Sequence, residues 1–190
     1  MARDKKLTKK TNQNFMLKGF NSIQIGLYIL LASYVINDSI LGFVAEENPM
    51  GMLSIEIIET ICLFMIVLVG FFSMTAVFFS SRRASRKMRN MVWNTASKKQ
   101  FLSYFVSFVL GVFLLVFVKN TAINYATPFF LLYLGLVLSI LNTQQKKEYY
   151  LLVAVAILLT VVVTVIPTYW YSSLLIVGGS FFVYGLIIKK

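Results

Sequence analysis

Six long apolar stretches run through this chain, and they constrain its fold more than any other feature. They cover residues 22–45, 55–80, 101–118, 127–141, 150–166 and 172–188, and the fourth is the shortest. An α-helix needs about 20 mostly apolar residues to cross the hydrocarbon layer of a membrane, and about 17 suffice when flanking residues anchor its ends. Because backbone polar groups must be satisfied internally in hydrocarbon, such runs form helices. The predicted fold is all-α and polytopic, with six transmembrane helices.

The composition indicates that lipid is the solvent for much of the surface. Of the 190 residues, 58% are hydrophobic and only 13% are charged, whereas about a quarter of the residues of a soluble domain are charged. We therefore expect an integral membrane protein. Residues 1–20 are predicted to form a basic cytosolic tail, and residues 21–190 a single six-helix transmembrane domain.

The positions of lysine and arginine predict how the chain is oriented. Of these 18 residues, all but Lys119 lie in the N-terminal tail, in residues 82–99, at positions 146–147 or at the C-terminus. All three prolines lie in or beside the other connections. Basic residues in short loops stay on the cytoplasmic side of a membrane. Both termini are thus predicted to be cytosolic, with the helices arranged as three outward-opening hairpins, and the expected location is a bacterial cytoplasmic (inner) membrane.

The cytosolic segment 81–100 carries seven basic residues and no acidic residue. Membrane orientation alone explains this charge. A short amphipathic helix lying on an anionic leaflet is the alternative, because Ala84, Met88, Met91 and Val92 recur at helical spacing among the basic residues. Nucleic acid is not an expected partner, since phospholipid competes for the charge and no interleaved aromatic platform accompanies it. The candidate contacts to anionic headgroups or to a partner protein are Arg82, Arg83, Arg86, Lys87, Arg89 and Trp93.

Five of the seven acidic residues lie in the first outward hairpin. Glu56 and Glu59 are three residues apart and therefore share a helix face, which Asn37 and Asp38 can approach from the first helix. These four residues form a candidate outward polar site, because carboxylates within membrane spans often mark ion paths. A structural role is the alternative, since Ser54 can cap the second helix and the helix dipole favours acidic residues in the first turn.

Small residues recur at four-residue spacing in several predicted helices. Stripes of this kind allow two helices to approach closely. We expect packing within the bundle, and docking against another membrane subunit is the alternative. The candidate packing residues are Ser103, Ser107, Gly111, Gly135, Ser139, Gly178 and Gly185.

The first predicted helix contains polar residues deep within its span. Ser33 and Asn37 are four residues apart and share a face. Polar groups at this depth need partners within protein. We therefore expect the first helix to face the bundle interior or a cavity.

The last two predicted hairpins, residues 110–141 and 156–188, have the same plan. Each consists of an apolar run, a short polar turn and a return helix that contains glycine. This three-hairpin plan resembles the small six-helix membrane proteins of the HdeD-like type, over about residues 101–190. The resemblance implies a fold and no functional site.

The inventory of reactive side chains points away from catalysis. The chain contains no histidine and one cysteine, which excludes imidazole-activated nucleophiles, the HExxH zinc site and thiolate metal clusters. No metal ion or cofactor is expected. We expect a non-enzymatic integral membrane subunit, scaffold or regulator of a larger membrane protein complex, in contact with membrane lipids and another membrane subunit. The alternative is a small-solute or ion transport component, either a substrate-binding membrane subunit or a small transporter.

Overall fold

The described part of the chain is a bundle of six α-helices. The computed structural model describes residues 17, 19–45, 55–87, 95–122, 126–145 and 149–188. The helices are α1 (Phe20–Ala45), α2 (Ile55–Lys87), α3 (Thr95–Ala122), α4 (Ala126–Gln145), α5 (Tyr150–Val165) and α6 (Trp170–Ile187), with a 3-10 turn at Pro167–Tyr169. The described residues contain no strand, so the all-α prediction and the number of helices are confirmed.

Four parts of this bundle are long and apolar enough to cross a membrane. Among the described residues they are Phe20–Asp38, Thr60–Arg83, Ser97–Phe117 and Pro167–Ile187. The apolar helices Thr127–Ile140 and Tyr150–Val165 are shorter. The 16 residues of α5 extend for about 24 Å, against a hydrocarbon layer of about 30 Å. Length and composition thus support a membrane protein with four spanning helices, and the prediction of six spans goes further than this observation.

The outer surface of the bundle suits hydrocarbon. Large apolar side chains are exposed on it, among them Phe113 at 71% and Val165 at 72%, and a soluble monomer rarely exposes contiguous apolar surface on this scale. Outward hydroxyls are satisfied by their own helix: Thr164 Oγ1 donates to the Thr160 carbonyl at 2.7 Å, and Ser180 Oγ to the Ile176 carbonyl at 2.7 Å. These bonds require no water, as burial in lipid demands.

The turn between α5 and α6 follows directly from Pro167. The proline ring disfavours helical backbone at the preceding residue, and Ile166 adopts φ −129° and ψ 87°. The Ile166 N–H still donates to the Val162 carbonyl at 2.8 Å, which closes the last turn of α5. Pro167 then opens a single 3-10 turn before α6 begins.

Glycine brings α1 and α6 into backbone contact. A Cβ on Gly26 would lie 2.6 Å from the carbonyl oxygen of Gly178, and one on Gly185 would lie 2.7 Å from the carbonyl oxygen of Gly19. Residue numbers rise along α1 as they fall along α6 in these contacts, so the two helices are antiparallel. Of all helix pairs, α1 and α6 pack most extensively. This contact joins the first and the last of the described helices.

A buried hydrogen bond also links these two helices. Ser22 Oγ donates to the carbonyl oxygen of Phe181 at 2.7 Å, and Ser22 is fully buried. Hydrogen bonds between helices are one of the forces that hold membrane bundles together, because apolar packing gains little over contact with lipid. The α1–α6 pair therefore combines close backbone approach with a directional polar contact.

The six helices form a ring. Each helix packs on its neighbours in the chain, and α1 packs on α6 to close the circuit. Within the described residues, α2 and α3 make the sparsest contact of the ring. Gly70 faces Phe108, and the rings of Phe78 and Phe101 have centroids 6.2 Å apart. These two contacts show that α2 and α3 are antiparallel.

Three chain segments meet around Tyr149, which is 0% exposed. The Leu17 N–H donates to the Tyr149 hydroxyl at 3.0 Å, and the Tyr149 and Tyr184 rings have centroids 5.8 Å apart. The residues just before α1, just before α5 and near the end of α6 are therefore at one end of the bundle.

Candidate functional site

A cavity of about 310 Å³ lies inside the helix ring. Side chains from α1, α2, α3, α4 and α6 line it, together with Leu17. Binding sites for small molecules typically occupy about 300–1,000 Å³, and the spaces between helices of a bundle are among their usual places. This cavity is therefore the candidate functional site.

The lining of the cavity is mainly aliphatic and aromatic. Ile29 of α1, Val69 of α2, Phe108 of α3 and Phe130 of α4 are representative of it. Hydroxyl groups supply the polar part of the lining, and its described residues include no Asp, Glu, Lys or Arg. Because a buried ion needs a counter-charge or a full set of polar partners, this lining favours an apolar ligand over an ion.

The hydroxyls in the lining differ in how they are satisfied. Ser33 Oγ donates to the Ile29 carbonyl at 2.7 Å, and the Tyr133 hydroxyl donates to the Ser107 carbonyl. Ser73 Oγ is buried and has no hydrogen-bond partner among the described residues. Ser33 is 3% exposed and lines the cavity, which confirms that the first helix faces the interior at this point.

Two glycines allow aromatic rings to cross between helices beside the cavity. A Cβ on Gly70 would overlap the Phe108 ring, and one on Gly111 would lie 2.6 Å from Cε1 of Tyr133. Gly111 was among the predicted packing residues, whereas sequence reasoning missed Gly70 because it has no small neighbour at four-residue spacing in its helix. Its isolated position in an apolar run was the available signal, since such a glycine weakens a helix unless packing requires it.

The predicted packing residues occupy unequal positions. The four glycines among them are buried, and a Cβ on Gly135 would lie 3.5 Å from Cβ of Ala156. Ser103 and Ser107 are half-buried, whereas Ser139 is exposed on α4. The structure therefore brings the glycines to helix contacts and leaves Ser139 on the outside.

The predicted outward polar site is described only in part. Asn37 is half-buried and Asp38 is exposed on α1. The backbones of Glu56 and Glu59 lie in the first turns of α2, but their side chains fall outside the described part of the chain. The grouping of these four residues therefore stays a prediction.

The basic segment is not a loop at its two ends. Residues 81–87 continue α2 without a break, and residues 95–100 form the beginning of α3. Residues 84–87 therefore belong to α2 and not to a separate helix, and the hypothesis that the segment binds an anionic leaflet stays a prediction. Arg89 and Trp93 lie outside the described residues, as does the side chain of Lys87.

Exposed cations lie at the ends of α2 and α3. They are Arg82, Arg83 and Arg86 on α2, and Lys98 and Lys99 on α3. The two lysines were not among the predicted contact residues. The sequence signal for them was their position immediately before an apolar run, where a span meets the headgroup layer.

The Phe78–Phe101 contact shows that these cations lie close to the α2–α3 seam, by which we mean the contact line between the two helices. Arg82 follows Phe78 by four residues and Lys98 precedes Phe101 by three, so each cation shares a helix face with the neighbouring ring. Both also lie about one helical turn beyond that contact. Arg82 and Lys98 are therefore placed at the same end of the seam.

Comparison with known proteins gives no relative for this chain. No protein-family model, no curated protein and no solved structure matches it. The resemblance of the last two hairpins to the HdeD-like proteins thus has no support from a family match. The fold and the site define a helical membrane protein with an apolar internal cavity.

Proposed function

We propose that this protein is a non-enzymatic integral membrane subunit, scaffold or regulator of a larger membrane assembly. The observation that supports this role is the sparse packing of α3, whose contacts with α2 and α4 are much less extensive than those between α1 and α6. Its span from Ser97 to Phe117 is 17% buried, and among the four described spans only that of α2, at 6%, is buried less. A helix held so loosely by its own bundle has surface to offer a second protein.

The exposed face of α3 is apolar and available to another helix. Phe105, Val106, Val109, Leu110 and Phe113 line a shallow depression on it. Helices pack by inserting the side-chain ridges of one into the grooves of the other. In a membrane this packing is driven by van der Waals contact and not by escape from water, so a complementary helix gains more from this face than lipid chains do.

Photo-crosslinking tests the subunit role. A photoreactive amino acid placed at Phe105 or at Phe113 is expected to crosslink the same single membrane protein in cells that express the chain at its native level. The matched control is position Leu158 on α5, which is 62% exposed. We expect no crosslink to that protein from position 158, because α5 does not form the proposed face.

A different result would contradict the subunit role. If positions 105 and 113 crosslink only lipid, and the detergent-purified protein runs alone as a monomer, α3 faces lipid and the proposal fails. Crosslinking of the same protein from position 158 would show that contact is not specific to α3.

We also propose that the chain crosses the membrane six times in three outward-opening hairpins, with both termini in the cytosol of a bacterium. Leu17, Tyr149 and Tyr184 meet at one end of the bundle. Each of them is within five positions of a lysine in the sequence. The end of the bundle where these three residues meet is therefore close to lysines in the sequence. The positive-inside rule predicts that such an end faces the cytosol.

Cysteine labelling tests this orientation. In a Cys62→Ser background, Glu46→Cys is expected to react with an impermeant maleimide on intact cells, because its connection faces outward. Lys146→Cys is expected to react only after the cells are permeabilised. Labelling of position 146 on intact cells would contradict the arrangement. So would a cysteine at position 46 that reacts with a permeant reagent but not with the impermeant one.

The cavity also supports a second candidate, a substrate-binding membrane subunit of a transport system. Its volume of about 310 Å³ and its apolar lining favour a small apolar solute over an ion. An Ala32→Phe variant, which places a ring in the cavity, would abolish uptake of such a solute if this candidate is correct. Unchanged uptake in that variant would exclude the cavity as a transport site.

A further inference from the structure

We propose that the cavity holds one acyl chain of an anionic phospholipid, whose phosphate group binds the cations at the end of the α2–α3 seam. The proposal rests on the membrane arrangement given above and is independent of any partner subunit.

The cavity has the length and chemistry of a hydrocarbon site. Its lining extends along α2 from Ile66 to Val77 and along α3 from Phe101 to Leu115. At 1.5 Å per residue, these stretches measure about 17 Å and about 21 Å. A hydrocarbon chain makes favourable van der Waals contacts with an apolar lining of this shape. In a membrane, lipid tails are the most abundant molecules of this kind.

The α2–α3 seam is the favoured route between this cavity and the membrane. Its helices make the sparsest contact in the ring. The seam is held by Phe108 against Gly70 and by Phe101 against Phe78, and both Phe101 and Phe108 also line the cavity. Phe101 and Phe108 therefore form part of the wall between the cavity and the seam.

The charge at the end of the seam determines which lipid fits. Arg82 and Lys98 flank the seam, and Arg83, Arg86 and Lys99 are exposed close by in the sequence. Arginine binds phosphate through paired, charge-assisted hydrogen bonds, and basic residues next to a span attract anionic headgroups. A tail in the cavity places its headgroup at the end of the same seam, among these cations.

Three buried polar residues lie beside these cations in the sequence, at the same ends of α2 and α3. Ser81, Ser97 and Gln100 are 4%, 1% and 6% exposed. They lie next to Arg82, Lys98 and Lys99 in the sequence, while Val77 and Phe101 begin the apolar lining. The ends of both helices therefore change from charged and polar residues to apolar lining, as a phospholipid changes from headgroup and glycerol ester to hydrocarbon.

Native mass spectrometry of the purified full chain tests the proposal. The probes are phosphatidylglycerol and phosphatidylcholine with identical acyl chains, added to delipidated protein in detergent. We expect wild-type protein to retain phosphatidylglycerol more strongly. The Arg82→Gln and Lys98→Gln changes are expected to weaken that retention about fivefold for each cation removed, with little effect on phosphatidylcholine. Lys146→Gln with Lys147→Gln removes the same charge from another basic segment and should leave the retention unchanged.

Variants that fill the cavity test the position of the tail. Ala32→Phe is expected to abolish retention of both lipids, because Ala32 is buried and lines the cavity. The matched control is Ala154→Phe on the exposed side of α5, which should bind as wild type does. Ser73→Leu provides a second filling variant that sacrifices no hydrogen bond, since Ser73 Oγ has no partner among the described residues. Circular dichroism checks that each variant keeps its helices.

Two results would overturn the proposal. Equal retention of the two lipids by wild-type protein would exclude selection of an anionic headgroup by these cations. Retention of phosphatidylglycerol by folded Ala32→Phe and Ser73→Leu proteins would show that lipid binds to the outer surface and not in the cavity. These measurements use the isolated chain. A negative result for lipid binding therefore does not decide the subunit role, which crosslinking from α3 tests separately.

Discussion

A Gly26→Ala protein is expected to unfold more readily than wild type, with a loss of about 1–3 kcal/mol in the free energy of unfolding. The added methyl group would lie 2.6 Å from the Gly178 carbonyl oxygen and 2.6 Å from the Phe182 nitrogen. Both are backbone atoms, so the clash is relieved only if α1 and α6 move apart. Because this pair has the most extensive packing in the bundle, separation weakens the whole fold. Denaturant titration in detergent, followed by circular dichroism, measures the change.

Gly179→Ala is the matched control for this change. A Cβ on Gly179 meets nothing within 4 Å, and alanine has a higher helix propensity than glycine by about 1 kcal/mol. The control should therefore be as stable as wild type or slightly more stable. Gly178→Ala is expected to fall between the two, because its methyl group would meet the movable side chain of Leu30 at 2.8 Å. Equal stability of Gly26→Ala and Gly179→Ala would contradict the close α1–α6 contact.

Tyr149→Ala is expected to cost about 3–5 kcal/mol of unfolding free energy, the usual cost of removing a large aromatic ring from a core. Tyr149 is among the largest fully buried side chains, packs against Tyr184 and accepts the Leu17 N–H. Tyr149→Phe keeps the ring and removes the hydroxyl, which leaves the buried Leu17 N–H without this acceptor, so its cost should be about 1–3 kcal/mol. The same titration distinguishes the two costs.

The adjacent residue offers a control for the loss of an aromatic ring. Tyr150 is 58% exposed, and Tyr150→Ala should change the free energy of unfolding by less than about 0.5 kcal/mol. If Tyr150→Ala were as harmful as Tyr149→Ala, the two side chains would be equally important to packing. That outcome would be incompatible with Tyr149 as the buried link between three chain segments.

The two functional proposals concern opposite faces of α3. Its inner face, including Phe108 and Leu115, lines the cavity, whereas its outer face, including Phe105 and Phe113, is exposed. Lipid binding and partner binding therefore do not compete for the same side chains. Substitutions at position 113 should leave lipid retention intact, and Ala32→Phe should leave crosslinking from position 113 intact.

The helix ends show where hydropathy stops being informative. The apolar runs predicted ends at residue 80 and a new beginning at residue 101, but α2 continues to Lys87 and α3 begins at Thr95. Hydropathy detects where a chain leaves hydrocarbon, whereas a helix continues for as long as its backbone hydrogen bonds continue. The cations at the end of the seam consequently stand on rigid helices, which the sequence pattern did not indicate.

The sequence by itself determined that this chain is helical and suited to lipid, because composition and the length of the apolar runs decide those properties. It also determined that nearly all basic residues lie in the termini and in alternate connections between the apolar runs. Only the tertiary structure decided that α1 pairs with α6, that Gly70 receives Phe108 and that five helices enclose a cavity. Lipid tails are as apolar as a protein interior, so apolar side chains that face lipid and those that face the cavity are alike in the sequence. The inside of such a bundle is defined by which helices touch, and that is a property of the folded chain.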